Sequence, residues 1–163
     1  MKQITFYIIE ENSQADHDQG LIEFSLSLAQ HFVAQGAKVY IHAQDKQQAE
    51  QIDETCFAAP LTQFIAHNLV GEGPKFGCPI EIGYHSAQQS IRPHFNRNLV
   101  INLANGVTNF AHQFTQVVDF VPNEKKAKQE ARERYKIYRQ AGFSIQTITL
   151  NSVNERDEDK PKS

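Results

Sequence analysis

The chain of 163 residues, 40% hydrophobic and 21% charged, has the size and balance of one folded domain, which excludes most multi-domain enzymes. Two cysteines, Cys56 and Cys78, exclude a disulfide framework; with no C-x-x-C pair or Cys/His ladder, both read as thiols and no metal is implied. The net charge of -3 argues against wholesale coating of nucleic acid, and no run approaches the roughly 20 apolar residues that cross a bilayer, so no membrane role and a cytoplasmic location are expected.

Ile4 to Ile9 is a β-branched and aromatic run that predicts a buried strand, ended by the polar segment Glu10 to Gly20. From Leu21 the apolar residues Leu21, Ile22, Phe24, Leu28, Ala29, Phe32 and Val33 recur at helical spacing until Gly36 stops them. Lys38 to His42 predicts a second strand, and Asp45 stands where a cap belongs before a helix over Lys46 to Cys56. The alternation β-α-β-α points to a three-layer αβα domain around a mainly parallel sheet, with Rossmann-like topology.

A glycine- and proline-bearing loop is expected from His67 to Pro79, then a strand over Ile80 to Tyr84, a polar loop over His85 to Arg97, and a strand over Leu99 to Leu103. A short helix around Asn109 to Gln113 precedes the strand Gln116 to Val121, which Pro122 ends. Asn123 is the expected cap of the strongest helix in the chain, Glu124 to Gln140, closed by Gly142, and Phe143 to Leu150 alternates as a last strand. Residues 1–150 thus form the expected domain. The segment 151–163 has one large apolar residue, Val153, and is expected to remain a disordered polar tail.

The stretch Gly71-Glu72-Gly73-Pro74-Lys75-Phe76-Gly77 is no nucleotide cradle by its spacing. A dinucleotide fingerprint needs G-x-G-x-x-G between the first strand and a helix, and a phosphate loop ends in Gly-Lys-Ser/Thr; neither occurs. The seven histidines stand apart, none at the three- or four-residue spacing of a helical metal site. His67, beside Asn68 and Glu72, is the best candidate for a polar network, and it reads as a loop-holding residue because no nucleophile with a partner lies near it. No catalytic residue and no cofactor are assigned.

The helix after Pro122 is where the charge concentrates. Between Asn123 and Arg139 seven bases face three acids, a local +4, while 151–163 carries -1 and the rest of the chain -6. Lys128, Arg132, Tyr135, Lys136 and Arg139, at i, i+4, i+7, i+8 and i+11, share one helical face with a ring among the cations. A solvated face would mix signs, and arginine forks suit carboxylate or phosphate. Two ligand classes fit: an acidic peptide with an aromatic end, or a single-stranded nucleic-acid backbone. Phe57 and Phe64, flanking Pro60, are either core residues at a helix-to-loop junction or anchors for a protein partner.

Three stretches carry a resemblance: Thr5-Phe6-Tyr7; His67-Asn68-Leu69-Val70-Gly71-Glu72-Gly73-Pro74; and Val117-Val118-Asp119-Phe120-Val121-Pro122 leading to Ala131-Arg132-Glu133-Arg134-Tyr135-Lys136 and Ala141-Gly142-Phe143. They make the chain, as far as Leu150, similar to the chi subunit family of the bacterial DNA polymerase III holoenzyme. That resemblance implies a non-catalytic adaptor, which binds the acidic C-terminal tail of single-stranded DNA-binding protein on one side and the psi subunit of the clamp-loader complex on the other, and touches DNA only indirectly. It carries tail binding onto Val121, Lys128, Arg132, Tyr135 and Lys136, and Arg139 extends the stripe. It carries psi binding onto Phe57 and Phe64, with the smaller phenylalanine at 57 where the family usually has tryptophan, and allows a helicase-like repair protein on the same surface. The competing readings are a direct single-stranded nucleic-acid-binding module and a small α/β enzyme using the His67 to Gly77 loop.

Overall fold

The computed structural model describes residues 2–58, 67–69, 78–84, 98–106 and 114–150. Among the described residues the β-branched runs form seven strands, all parallel, and the segments with helical period form three helices. In chain order these are β1 (Gln3–Ile9), α1 (Asp18–Ala34), β2 (Val39–Ala43), α2 (Lys46–Ala58), β3 (His67–Leu69), β4 (Ile80–Tyr84), β5 (Leu99–Asn102), β6 (Gln116–Val121), α3 (Lys125–Gln140) and β7 (Ser144–Leu150). The sheet order is β3-β4-β2-β5-β6-β1-β7. β1 pairs with β6 from Gln3↔Gln116 to Ile8↔Val121, and with β7 from Gln3↔Ser144 to Ile9↔Leu150.

Because side chains alternate across a strand, the sheet has two apolar faces. Val39, Ile41, Ile80, Ile82, Leu99, Ile101, Val118 and Phe120 join Ile22, Leu26 and Ala29 of α1 and Ala49, Ile52 and Cys56 of α2 in one core. The other face carries Ile4, Phe6, Tyr40, Val100 and Val117, which pack with Tyr138 of α3 and with Phe143. The expected α/β fold with helices on both faces of the sheet is therefore observed.

Local signals account for most boundaries. The Asp45 carboxylate accepts from the Gln48 amide at 2.8 Å, the expected cap of α2. Gly36 and Gly142 take φ of +93° and +91° just beyond α1 and α3. The amides after them, of Ala37 and Phe143, return to the carbonyls of Phe32 and Tyr138 at 3.0 and 3.2 Å, which closes both helices with left-handed glycine caps.

Three expectations need correction. The stretch from His67 opens with a three-residue strand, not a loop, paired to β4 as His67↔Ile80 and Leu69↔Ile82; three residues are too few to show a period. α3 is capped by Glu124 rather than Asn123, because the longer carboxylate curls back to accept from the amides of Lys126 and Ala127 at 3.1 and 2.7 Å. α1 starts at Asp18, three residues before its apolar stripe, with His17 Nδ1 accepting from the Gly20 amide at 3.1 Å. The segment Gly71 to Gly77, the loop His85 to Arg97, the helix around Asn109 to Gln113, Phe64 with Pro60, and the tail 151–163 lie outside the described residues.

Candidate functional site

Ala131, Arg134 and Tyr138 form the buried side of α3, and what they meet on β6 decides how the helix is held. Asp119 sits in an apolar strand, fully buried, on the sheet face that α3 covers. Arg134 Nε and Nη2 donate to its two carboxylate oxygens at 3.0 and 3.1 Å. The same guanidinium donates through Nη2 to the Phe120 carbonyl at 3.0 Å and through Nη1 to the Asn105 carbonyl at 2.6 Å. The Tyr138 hydroxyl, the Asn102 amide group and the Phe120 backbone amide also donate to Asp119, at 3.2, 3.3 and 2.7 Å. Burial pushes the Asp119 carboxyl above the usual carboxylate range, and Arg134 together with the Phe120 and Asn102 bonds pulls it back. Burial, with Asp119 close by, also raises the Tyr138 phenol. The forked pair ties α3 to β5 and β6 and fixes the rotation of the helix about its axis.

In open α/β sheets ligands bind beyond the carboxyl ends of the strands. Here Arg134 lines the recess at the ends of β5 and β6, together with Asn102, Asn105, Asp119, Pro122 and Ala127, and it holds about 40 Å³. That volume admits a water and is far below the roughly 300–1,000 Å³ of a small-molecule site. Among the described residues no group of three or more His, Cys, Asp or Glu side chains is placed to hold a metal ion, and no helix is long and apolar enough to cross a membrane.

With Arg134 turned inward toward β5, the opposite flank of α3 overhangs β1 and β7. Tyr135 stands on that flank, half-buried, its ring 5.5 Å from that of Phe6. Val121 at the end of β6 and Ile145 on β7 pack, like Tyr135, at the margin of the same core. Lys128 is half-buried beside this margin in phase, while Arg132, Lys136 and Arg139 are exposed. The structure thus brings the expected stripe together on a pinned helix, next to a half-buried apolar edge. It also qualifies it: Arg134 leaves the outward count, so six cations face three acids, and Lys136 Nζ lies 3.7 Å from Glu133 Oε1 in an exposed pair of small energetic weight.

The second candidate surface lies at the other end of the sheet. Asp53 and Phe57, one turn apart on α2, bracket His67 of the edge strand β3. Asp53 Oδ1 lies 2.7 Å from His67 Nε2. The Phe57 ring meets the imidazole edge-on, with centroids 4.9 Å apart, and remains 75% exposed. Phe57 is therefore a surface ring and not a core residue. The partner of His67 is on α2, which its sequence neighbours Asn68 and Glu72 do not indicate. One turn from Asp53, the Cys56 thiol is buried and pushed up to about 12 by desolvation and by Asp53, so it is a packing residue and not a nucleophile.

Sequence reasoning missed Asp119, Arg134 and Tyr138 as a unit. The signal was present: an acid inside an apolar strand, and a base and a phenol four residues apart on the helix that follows.

Residues 1–146 match the family model described as DNA polymerase III chi subunit, HolC. The chain belongs to that family. It is 40% identical over 149 residues to the DNA polymerase III subunit chi of Escherichia coli, covering 91% of this chain and 99% of the relative. It is 36% identical over 146 residues to the subunit chi of Haemophilus influenzae, covering 90% and 96%, and 29% identical over 153 residues to that of Pseudomonas aeruginosa, covering 94% and 100%. Among solved structures it resembles the crystal structure of T4 UvsW with a TM-score of 0.60 at 11% identity, over 92% of this chain and 41% of that one, a likeness of fold alone.

Proposed function

We propose that this chi-family chain is an accessory subunit of the replicative DNA polymerase III assembly that works by binding rather than catalysis. In this reading the α3 flank takes the acidic C-terminal tail of single-stranded DNA-binding protein, and Phe57, with Phe64, takes psi. The observation that carries it is the placement of Lys128, Arg132, Lys136 and Arg139 beside the half-buried Val121 and Tyr135 on a helix clamped by Asp119 and Arg134. The cations attract the tail's carboxylates, the Arg132 fork suits a terminal carboxylate, and the margin between Val121 and Tyr135 suits a terminal aromatic ring.

The test is titration of a short synthetic peptide of aspartates ending in phenylalanine. Micromolar binding that weakens with salt and is lost in Arg132→Ala is expected. Binding that survives Arg132→Ala unchanged would remove the site from α3. Co-purification with psi, with and without Phe57→Ala, tests the second surface.

A further inference from the structure

Phe57 is the next-to-last residue of α2 and 75% exposed, so neither the core nor a further turn of helix holds its ring. Helix ends are where local opening concentrates. The firmly held part of α2 lies one turn back, where Ile52 and Cys56 are buried in the core shared with α1 and the sheet. Asp53 follows Ile52 there, four residues before Phe57 and so its neighbour on one helical face.

What the Phe57 ring touches is His67. β3 is tied to β4 by the pairs His67↔Ile80 and Leu69↔Ile82, and the His67 side chain is 5% exposed, against 27% for Asp53. A carboxylate only accepts, so His67 Nε2 carries a proton and donates to Asp53 Oδ1 at 2.7 Å. That bond sets the plane of the imidazole. The imidazole in turn meets the Phe57 ring at 70° with centroids 4.9 Å apart, within the range of a favourable edge-to-face contact. A buried strand residue, fixed by an acid on the firm part of the helix, thus forms the rest against which an otherwise loose ring leans.

We propose that Asp53 and His67 are positioning residues for the Phe57 ring: their bond holds the imidazole in the plane that keeps the ring in one orientation, and psi binds more tightly because of two side chains that act through a third. The holding rests on the geometry; its effect on psi rests on the proposed reading of Phe57 as a psi anchor. A ring already held gives up less freedom on binding. Phenylalanine has only two side-chain torsions, so the gain is small, about two- to fivefold in affinity.

The experiment uses the full chain and its variants Asp53→Ala, Asp53→Asn, Glu54→Ala and Phe57→Ala. Psi affinity is read by calorimetry, and the ring contact by nuclear Overhauser effects between the Phe57 and His67 rings. Alanine is the best helix former, so α2 keeps its form in Asp53→Ala. Without psi, the ring effects are expected to be present in the unaltered chain, to fade in Asp53→Ala, and to return in Asp53→Asn, whose amide oxygen still accepts from Nε2. Psi is expected to bind Asp53→Ala about two- to fivefold more weakly and Asp53→Asn like the unaltered chain. Glu54→Ala, which removes the same charge from the exposed neighbouring position, is also expected to bind like the unaltered chain. Phe57→Ala is expected to lose about tenfold or more, and adding Asp53→Ala to it is expected to lose nothing further, because a residue that acts through the ring has no effect once the ring is gone. An equal further loss in the Phe57→Ala background overturns the positioning role, since it makes Asp53 a direct contact or a support of the whole fold. Ring effects that survive Asp53→Ala overturn the hold on the ring, and ring effects lost without a change in psi affinity overturn its consequence for binding. If Phe57→Ala itself leaves psi affinity unaltered, the reading of Phe57 as an anchor falls, while the ring effects still decide the hold.

Discussion

At the β6-β1-β7 end of the sheet, long flexible cations stand on a helix whose rotation is set by a buried, multiply bonded ion pair. At the β3 end, the exposed ring of Phe57 stands on the last turn of a helix against the His67 imidazole, which the Asp53 carboxylate meets at 2.7 Å. The long cations of α3 thus stand on a firmly fixed helix, while the stiff ring of Phe57 has little rotamer freedom of its own to lose. The difference follows from entropy: lysine and arginine lose far more on binding than phenylalanine, so their platform must contribute no further disorder.

Removing the clamp breaks this contrast most severely. Arg134→Met leaves Asp119 buried without its cation and is expected to cost about 3–5 kcal/mol of stability, read by denaturant titration. A loss under 1 kcal/mol would mean that the pair is not sealed from water. Next in size, Arg132→Ala leaves the fold alone and is expected to cost the acidic peptide about 1.5–3 kcal/mol, with a flatter dependence on salt, read by calorimetry at two ionic strengths. Phe57→Ala sharpens the comparison from the other end. It is expected to change stability by no more than about 0.5 kcal/mol and leave the acidic peptide untouched, while psi capture falls with little dependence on salt.

The smallest effect is at the start of α3. Bonds from the Ala127 and Lys126 amides hold the Glu124 carboxyl below its ordinary value. A depressed acid contributes stability that is present above the unfolded-state value and lost as pH falls through the folded one. Acidification across that window is therefore expected to lower the protection of the Lys126 and Ala127 amides, measured against the intrinsic exchange rate at the same pH, before the rest of α3 responds. Simultaneous exchange along the whole helix would contradict a local cap.

The layers were legible because burial on both faces writes continuous apolar runs such as Leu99 to Ile101, and helices on a sheet write a 3.6 period. The stripe on α3 was legible because its members share one element. What was hidden depends on pairs carried by different elements, Asp119 with Arg134 and His67 with Asp53, where the sequence shows an acid and a base but not that the fold joins them. β3 was hidden for a different reason, since a three-residue edge strand is specified by its neighbour β4 rather than by its own pattern. The inward turn of Arg134 shows the cost of counting charge by segment: one of seven apparent surface cations belongs to the core.

The position of β1 carries a consequence for biosynthesis. β1 leaves the ribosome long before its sheet partners β6 and β7, so Gln3 waits for Gln116 and Ser144. At about 5–20 residues per second, the aromatic and β-branched run Ile4 to Ile9 spends roughly 6–23 s without either neighbour. Chains that stall before residue 121 end with that run still unpaired, so translational pausing in the second half of the message is where holding chaperones would matter most for yield.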